Sequence, residues 1–281
     1  MVTKERKKWG RRSTERSMYG TDKAPDPFPL SRTKLEKFHS CPRCFWIDRV
    51  AGMEPPGLPG FLLNTQVDIL LKKEFDKHRA AGTPHTYMTD HGLGHMVPLD
   101  HHMMDAWREN FKGVRTSKHD LELFGAVDDI WKSGEGADEE WFVVDYKSTA
   151  INTEITKEMF LEDIYKGGYV RQMAIYQWLL KELGCPVSTR GFFVYENGNN
   201  AADSLLSGGP EDNPRGIPLK PVTIIEIDTA DDNIVIEGER IDFDWVEALV
   251  IGAKACLDLD EPPASGGFCE HCAYVDAVSK V

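Results

Sequence analysis

The sequence predicts a mixed α/β domain with a sheet flanked by helices, and three observations support that expectation. Apolar residues recur at helical spacing over 61–80, where Leu63, Val67, Leu70, Leu71 and Phe75 form a stripe. Two runs rich in β-branched and aromatic residues, Leu121–Trp131 and Trp141–Lys147, flank the polar stretch Ser133–Glu140 and read as a hairpin. Beyond them a helical segment, two strand-like segments and a final helix follow in turn.

Taken in order, Ala24–Leu30 is a Pro-rich linker, and Ser31 offers an N-cap for a short helix reaching about Phe38. Gly52–Gly60 holds three prolines and breaks structure before the striped helix. Residues 82–100 read as a His- and Gly-rich loop, and Asp100–Phe111 as a helix. A helix over about Tyr165–Leu183 meets Gly184 as its C-cap. Strands are expected at Arg190–Tyr195 and Val222–Asp228, with the long Gly/Pro-rich loop Ser204–Pro218 between them. The last helix covers about Trp245–Leu257.

The chain has 281 residues and a formal charge of −13, with 41% hydrophobic and 28% charged residues. This balance reads as globular and allows one large domain or two small ones. No apolar run is long enough for a membrane helix, and the basic N-terminus lacks the apolar core of a secretory signal, so a cytoplasmic location is expected. Residues 1–50 carry 13 Lys or Arg against 6 Asp or Glu, a net of +7, which leaves −20 for the rest. The basic stretch 1–27 is expected to be a disordered tail and linker, either solubilising or phosphate-binding, ahead of a domain spanning 28–281.

The hairpin carries the chemistry. Centred between Gly136 and Ala137, it sets Asp128 opposite Asp145. Facing carboxylates repel unless a cation neutralises them, and a hard divalent ion does so well. Lys147 leaves the same strand face as Asp145 and can stabilise charge on a phosphorane-like transition state. The plainer alternative is an Asp–Lys pair at a solvated strand end.

The pattern Gly125-Ala-Val-Asp128, Asp145-Tyr-Lys147 and Gln172-Met-Ala-Ile-Tyr176 resembles the motifs G-x-x-D, (D/E)-x-K and Q-x-x-x-Y of PD-(D/E)XK nucleases, in the same order. It is closest to their RecB-like exonuclease branch, which includes CRISPR-associated RecB-like nucleases, and covers roughly 31–276. The resemblance implies a restriction-endonuclease-like core. It implies Mg²⁺ or Mn²⁺ on Asp128, Asp145 and the Tyr146 carbonyl, with Lys147 orienting or activating the attacking water. Gln172 and Tyr176 would support the site or touch DNA; without the family they read as core-packing residues. The family's further ligand is often a His on an earlier helix. Here Asp68 occupies the comparable place and Glu74 is the other candidate, each equally readable as part of a salt-bridged face.

Four of the six cysteines form two C-x-x-C pairs, Cys41/Cys44 and Cys269/Cys272, spacing that fits a tetrahedral four-thiolate site joining the chain's N- and C-terminal segments. Cys185 and Cys256 read as small buried residues. Some members of the resembled branch clamp their chain ends with an iron–sulfur cluster, using one early and three late cysteines. Here the expected third late cysteine falls at Val278 and Cys44 makes up the number, so both a [4Fe-4S] cluster and Zn²⁺ stay open. The loop histidines His91, His95, His101 and His102 show no helical metal-binding pair.

The resemblance thus implies a Mg- or Mn-dependent deoxyribonuclease, an exonuclease of DNA repair, recombination or defence. The alternative is a catalytically silent nucleic-acid-binding or scaffolding module. No phosphate-cradling G-x-x-x-x-G-K-[ST] loop is present, so unwinding would need a separate helicase or other DNA-processing partner. Arg43 and Arg171 are the expected DNA-contacting arginines beside Lys147.

Overall fold

The computed structural model describes residues 14–54, 62–149, 151, 153–163, 166–197 and 222–280. The basic residues 4–12, part of Gly52–Gly60 and the loop Ser204–Pro218 lie outside the described residues. Along the chain run β1 (Phe28–Ser31), α1 (Arg32–Ser40), α2 (Pro42–Arg49), α3 (Leu62–Ala81), α4 (Thr86–Asp90), β2 (Val97–Pro98) and α5 (Met104–Trp107). Then come β3 (Val114–Lys118), β4 (Leu121–Gly125), β5 (Asp129–Ser133), β6 (Glu140–Thr149), α6 (Lys157–Glu162), α7 (Gly167–Glu182) and β7 (Val187–Asn197). The order closes with β8 (Thr223–Asp228), β9 (Val235–Ile236), β10 (Glu239–Arg240), α8 (Phe243–Leu257) and α9 (Glu270–Val278). No helix among the described residues is long and apolar enough to cross a membrane.

The chain divides into two compact units. One comprises residues 1–59, 117–123 and 247–281; the other comprises 60–116 and 124–246. The second unit contains a five-stranded sheet of order β2-β5-β6-β7-β8. β6 pairs parallel with β7, while the other neighbours are antiparallel, so the sheet is mixed as expected. β6 is its central strand, and Trp141 to Tyr146 are all buried there, which matches a strand covered on both faces. Alternation sends Phe142, Val144 and Tyr146 into the apolar cluster with Leu71 and Phe75 of α3. Asp145 and Lys147 leave by the opposite face, where Gln172 of α7 meets Asp145. α7 is buried on almost every side, with no polar stripe to solvent. Gly191 of β7 lets it approach, since a Cβ there would strike Met173.

The register is the one expected from the turn. Asp129 pairs with Val144 and Ser133 with Glu140, so one further step sets Asp128 opposite Asp145. The strand before it differs from expectation. Leu121–Trp131 is not continuous, because β4 and β5 belong to different sheets. The chain leaves the ladder between them, and the Val127 amide turns to the Trp107 carbonyl instead. Residues 82–100 also hold more structure than a loop. His85 caps α4 by accepting the Tyr87 amide, and β2 adds an edge strand. The helix expected at Asp100–Phe111 shrinks to α5.

In the first unit Met18 is buried and the Tyr19 hydroxyl donates to Asp258 at 2.6 Å, so residues 14–27 include fixed contacts. α2 and α9 carry the two cysteine pairs at their N-termini. Asp48 is fully buried there among Lys34 at 2.6 Å, Lys37 at 2.8 Å and Arg49 at 3.0 Å.

Candidate active site

Three elements of the second unit build the site. The strand start at β5 presents Asp128, β6 presents Asp145 and Lys147, and α7 presents Gln172 and Tyr176. Asp145 is 1% exposed, a position a carboxylate keeps only with partners. Its Oδ1 accepts from Gln172 Nε2 at 2.8 Å, and its Oδ2 lies against the Lys147 ammonium. The Gln172 amide spends its second hydrogen on the Tyr176 hydroxyl at 3.1 Å. The four-residue helical spacing of Gln172 and Tyr176 therefore makes one unit aimed at Asp145. Lys147 also stands 4.5 Å over the Tyr169 ring, a cation–π contact. Burial alone would lower Lys147, but Asp145 and then Asp128 hold it above its ordinary value. It is a cation at neutral pH.

Asp128 accepts the Tyr146 amide on Oδ2 at 3.0 Å, which ties it to β6 just outside the β5 ladder. Its Oδ1 faces Lys72 at 3.2 Å, and Lys72 reaches Asp68 one helical turn earlier at 2.9 Å. Burial, then the charge of Asp128, raise the Asp68 carboxyl. Lys72 is raised too, since Asp128 and Asp68 outweigh the burial that would lower it. Asp68 thus joins the site through Lys72, a residue the sequence reading passed over. The available signal was its four-residue spacing from Asp68 on the helix that approaches the hairpin.

The adjacent Asp129 has a different surrounding. It is fully buried, accepts the Tyr146 hydroxyl at 2.7 Å and its neighbour's amide, that of Ile130, at 2.8 Å, and pairs with Arg79. Every carboxylate oxygen of Asp129 is used inside the core, while Asp128 turns to the lysine site.

Glu74, the other candidate ligand, is not brought to this set. It pairs with Lys77 at 2.6 Å and stands 3.7 Å from His85. The physical reason is helical phase: six residues beyond Asp68 falls on another face of α3. Arg171 is buried and ion-paired with Glu237 at 3.2 Å, and in the first unit Arg43 pairs with Asp276 at 3.2 Å. Each guanidinium is already engaged by a carboxylate of its own unit.

The fit to a divalent cation rests on the donor set. Three carboxylates, Asp68, Asp128 and Asp145, are drawn around two ammonium groups, and burial together with the charge of Asp128 raises Asp68. The donors are the hard oxygens that Mg²⁺ or Mn²⁺ takes, although the three carboxylates, with the lysines among them, do not all lie within 4.8 Å of one another.

The first unit brings its four cysteines together as expected. Their sulfurs all lie within 4.8 Å of one another, and none is disulfide-bonded. Cys44 stands 3.5 Å from Cys269 and 3.6 Å from Cys272, and Cys41 is 3.7 Å from Cys272. Burial would raise Cys41, but the amides of Gly266 and Cys44 outweigh it and hold the thiol at about 7. The same crowding and burial push Cys272 up to about 11. A Cβ at Gly266 would collide with the Ser40 carbonyl, so glycine is what lets its amide reach Cys41. A four-thiol cluster with one member already inclined to ionise is suited to a thiophilic metal.

No curated protein matches this sequence. Residues 62–277, more than half of the chain, match the family model described as the PD-(D/E)XK nuclease superfamily.

Proposed function

Because this chain belongs to the PD-(D/E)XK nuclease superfamily, a group of phosphodiester hydrolases, we propose that it is a Mg²⁺- or Mn²⁺-dependent deoxyribonuclease of the RecB-like branch, acting as an exonuclease. The observation that carries this reading is the meeting of Asp145 with Lys147 and Gln172, on a strand whose register sets Asp128 opposite. Three sequence motifs far apart in the chain then supply one polar set, on two interior strands of the sheet and the helix that covers them.

Asp128, Asp145 and Asp68, with the Tyr146 carbonyl, would hold the cation. Bound there, it supplies Lewis-acid stabilisation of the phosphoryl oxygens and makes water a stronger nucleophile. Lys147 is held against Asp145 as a donor, so it orients the attacking water and offsets charge that builds on the phosphate in the transition state. Gln172 fixes the Asp145 carboxylate, and Tyr176 fixes Gln172, so neither ligand nor lysine must reorganise during the reaction. Lys72 offsets one of the two negative charges of Asp68 and Asp128 and so lowers their repulsion of the DNA backbone.

The four cysteines bind a second, structural metal. Sulfur spacings of 3.5–3.7 Å support a single tetrahedral zinc ion, whose thiolates at about 2.3 Å would stand roughly 3.8 Å apart. In a [4Fe-4S] cluster each thiolate binds a different iron, which spreads the sulfurs more widely. The protein acts in the cytoplasm on DNA, in repair, recombination or defence, with strand separation left to a partner helicase.

The test is direct. End-labelled single- and double-stranded DNA is incubated with the protein in Mg²⁺, Mn²⁺ or EDTA. Cation-dependent release of short products from one end supports the proposal. No cleavage of either substrate with either cation would sink it, in favour of a silent binding or scaffolding module.

A further inference from the structure

Outside the lysine–carboxylate site and the cysteines, the described residues of the second unit hold one more cluster of metal-ligating groups: Glu74, His78 and His85. Glu74 and His78 are four residues apart on α3 and so share a face. His85 returns to them after the turn at Gly82, whose φ of +62 favours glycine. The carboxylate oxygen and the ring nitrogens lie within 4.8 Å of one another, and Glu74 Oε1 is 3.7 Å from His85 Nε2.

The rings are placed rather than mobile. His85 is 4% exposed and stacks on Phe75, with centroids 4.7 Å apart, while Tyr87 covers it at 4.5 Å. His78 meets it edge-on at 4.6 Å. The His78 Nδ1 faces the Thr83 hydroxyl at 3.1 Å, an outer contact of the kind that orients a ligating ring and leaves Nε2 to the metal. Glu74 uses Oε2 for Lys77 and presents Oε1 to His85.

We propose that Glu74, His78 and His85 bind one transition-metal ion of the zinc class and so tie α3 to the start of α4. Two imidazoles and one carboxylate select a borderline ion, unlike the hard carboxylate set and the soft thiolates. Three protein ligands leave a fourth position to water. Binding has a local cost. His85 Nδ1 now accepts the Tyr87 amide at 3.0 Å, and ligation through Nε2 moves the ring proton to Nδ1 and gives up that cap. One amide hydrogen bond is exchanged for a coordination bond.

The experiment reads metal content, not cleavage, so it stands or falls separately from the nuclease reading. Full-length protein is dialysed to equilibrium against micromolar Zn²⁺ with millimolar Mg²⁺ present to occupy the carboxylates. Zinc per chain is then counted for the wild type, Glu74→Gln, His78→Gln and the control His91→Gln. The cysteines are unchanged in all four and contribute equally. Wild type and His91→Gln are expected to hold one zinc more per chain than the other two. With Co²⁺ in place of Zn²⁺, His78→Gln should lose the part of the visible ligand-field absorbance that the histidine site adds, and keep the ligand-field and sulfur charge-transfer bands of the four cysteines. Equal zinc in all four proteins overturns the site. Should His78→Gln fold poorly by circular dichroism, the near-isosteric Glu74→Gln decides alone.

Discussion

The two regions that gather the proposed metal ligands solve opposite problems. In the second unit, three carboxylates are compensated by the chain's own lysines, with Lys72 between Asp68 and Asp128 and Lys147 against Asp145. In the first unit, four sulfurs gather within 4.8 Å of one another, with three of the contacts at 3.5–3.7 Å. The contrast teaches what a metal bound at each place would do. Removing the ion from the carboxylates should remove chemistry and leave the fold standing. Removing it from the cysteines should loosen the segments that residues 41–44 and 269–272 join.

The largest effect that would break this contrast lies at the cysteines. Cys44→Ser is expected to release the structural metal and destabilise the first unit by several kcal/mol, since metal binding to such sites is folding free energy. Melting with and without a strong chelator checks it: the wild type should lose melting temperature on chelation and Cys44→Ser should not respond further. Next in size is Lys147→Ala, expected to lower the cleavage rate about 10²–10³-fold and, because buried Asp145 loses its ammonium partner, to lower the melting temperature as well. Both follow from single-turnover kinetics and calorimetry on the same samples.

A pH scan sharpens the comparison within the first unit. Burial alone would raise Asp48, but Lys34, Lys37 and Arg49 hold it at about 2, below its ordinary 3.8. A carboxyl depressed in the fold contributes its full stability above its unfolded value and loses it as pH falls through the folded one. Acid unfolding should therefore steepen between about pH 4 and pH 2, and Asp48→Asn should flatten that interval while lowering stability at neutral pH. The smallest effect belongs to Gln172→Ala. Freed from its amide, Asp145 keeps Lys147, so a loss of about tenfold in rate, near 1.4 kcal/mol, is expected without loss of fold.

Much of this was legible in the sequence, for identifiable reasons. The hairpin register followed from a symmetric polar turn between apolar strands, because a one-residue slip would bury the wrong face. The cysteine cluster followed from spacing alone. Gln172 and Tyr176 were legible as a pair through the family motif, and the structure shows them joined through one amide. What was hidden depends on helical phase and on nonlocal partners. Asp68 and Glu74 looked equivalent on one helix, but their faces differ, and only Asp68 reaches the site through Lys72. The break between β4 and β5 was masked because both segments have strand composition. α4 was missed because its cap is a histidine, outside the usual Ser, Thr, Asp and Asn.

The proposed site depends on a division of labour within the dipeptide Asp128-Asp129. Asp128→Asn and Asp129→Asn, compared for DNA cleavage and melting temperature in one set of conditions, test it most directly. Asp128→Asn should lose at least about 10²–10³-fold in rate and melt near the wild type. Asp129→Asn takes from Arg79 the buried one of its two carboxylate partners and leaves it only the more exposed Asp76, so it should lose about 3 kcal/mol, or roughly 6–12 °C of melting temperature. An Asp128→Asn protein that cleaves DNA like the wild type would contradict the assignment of the site.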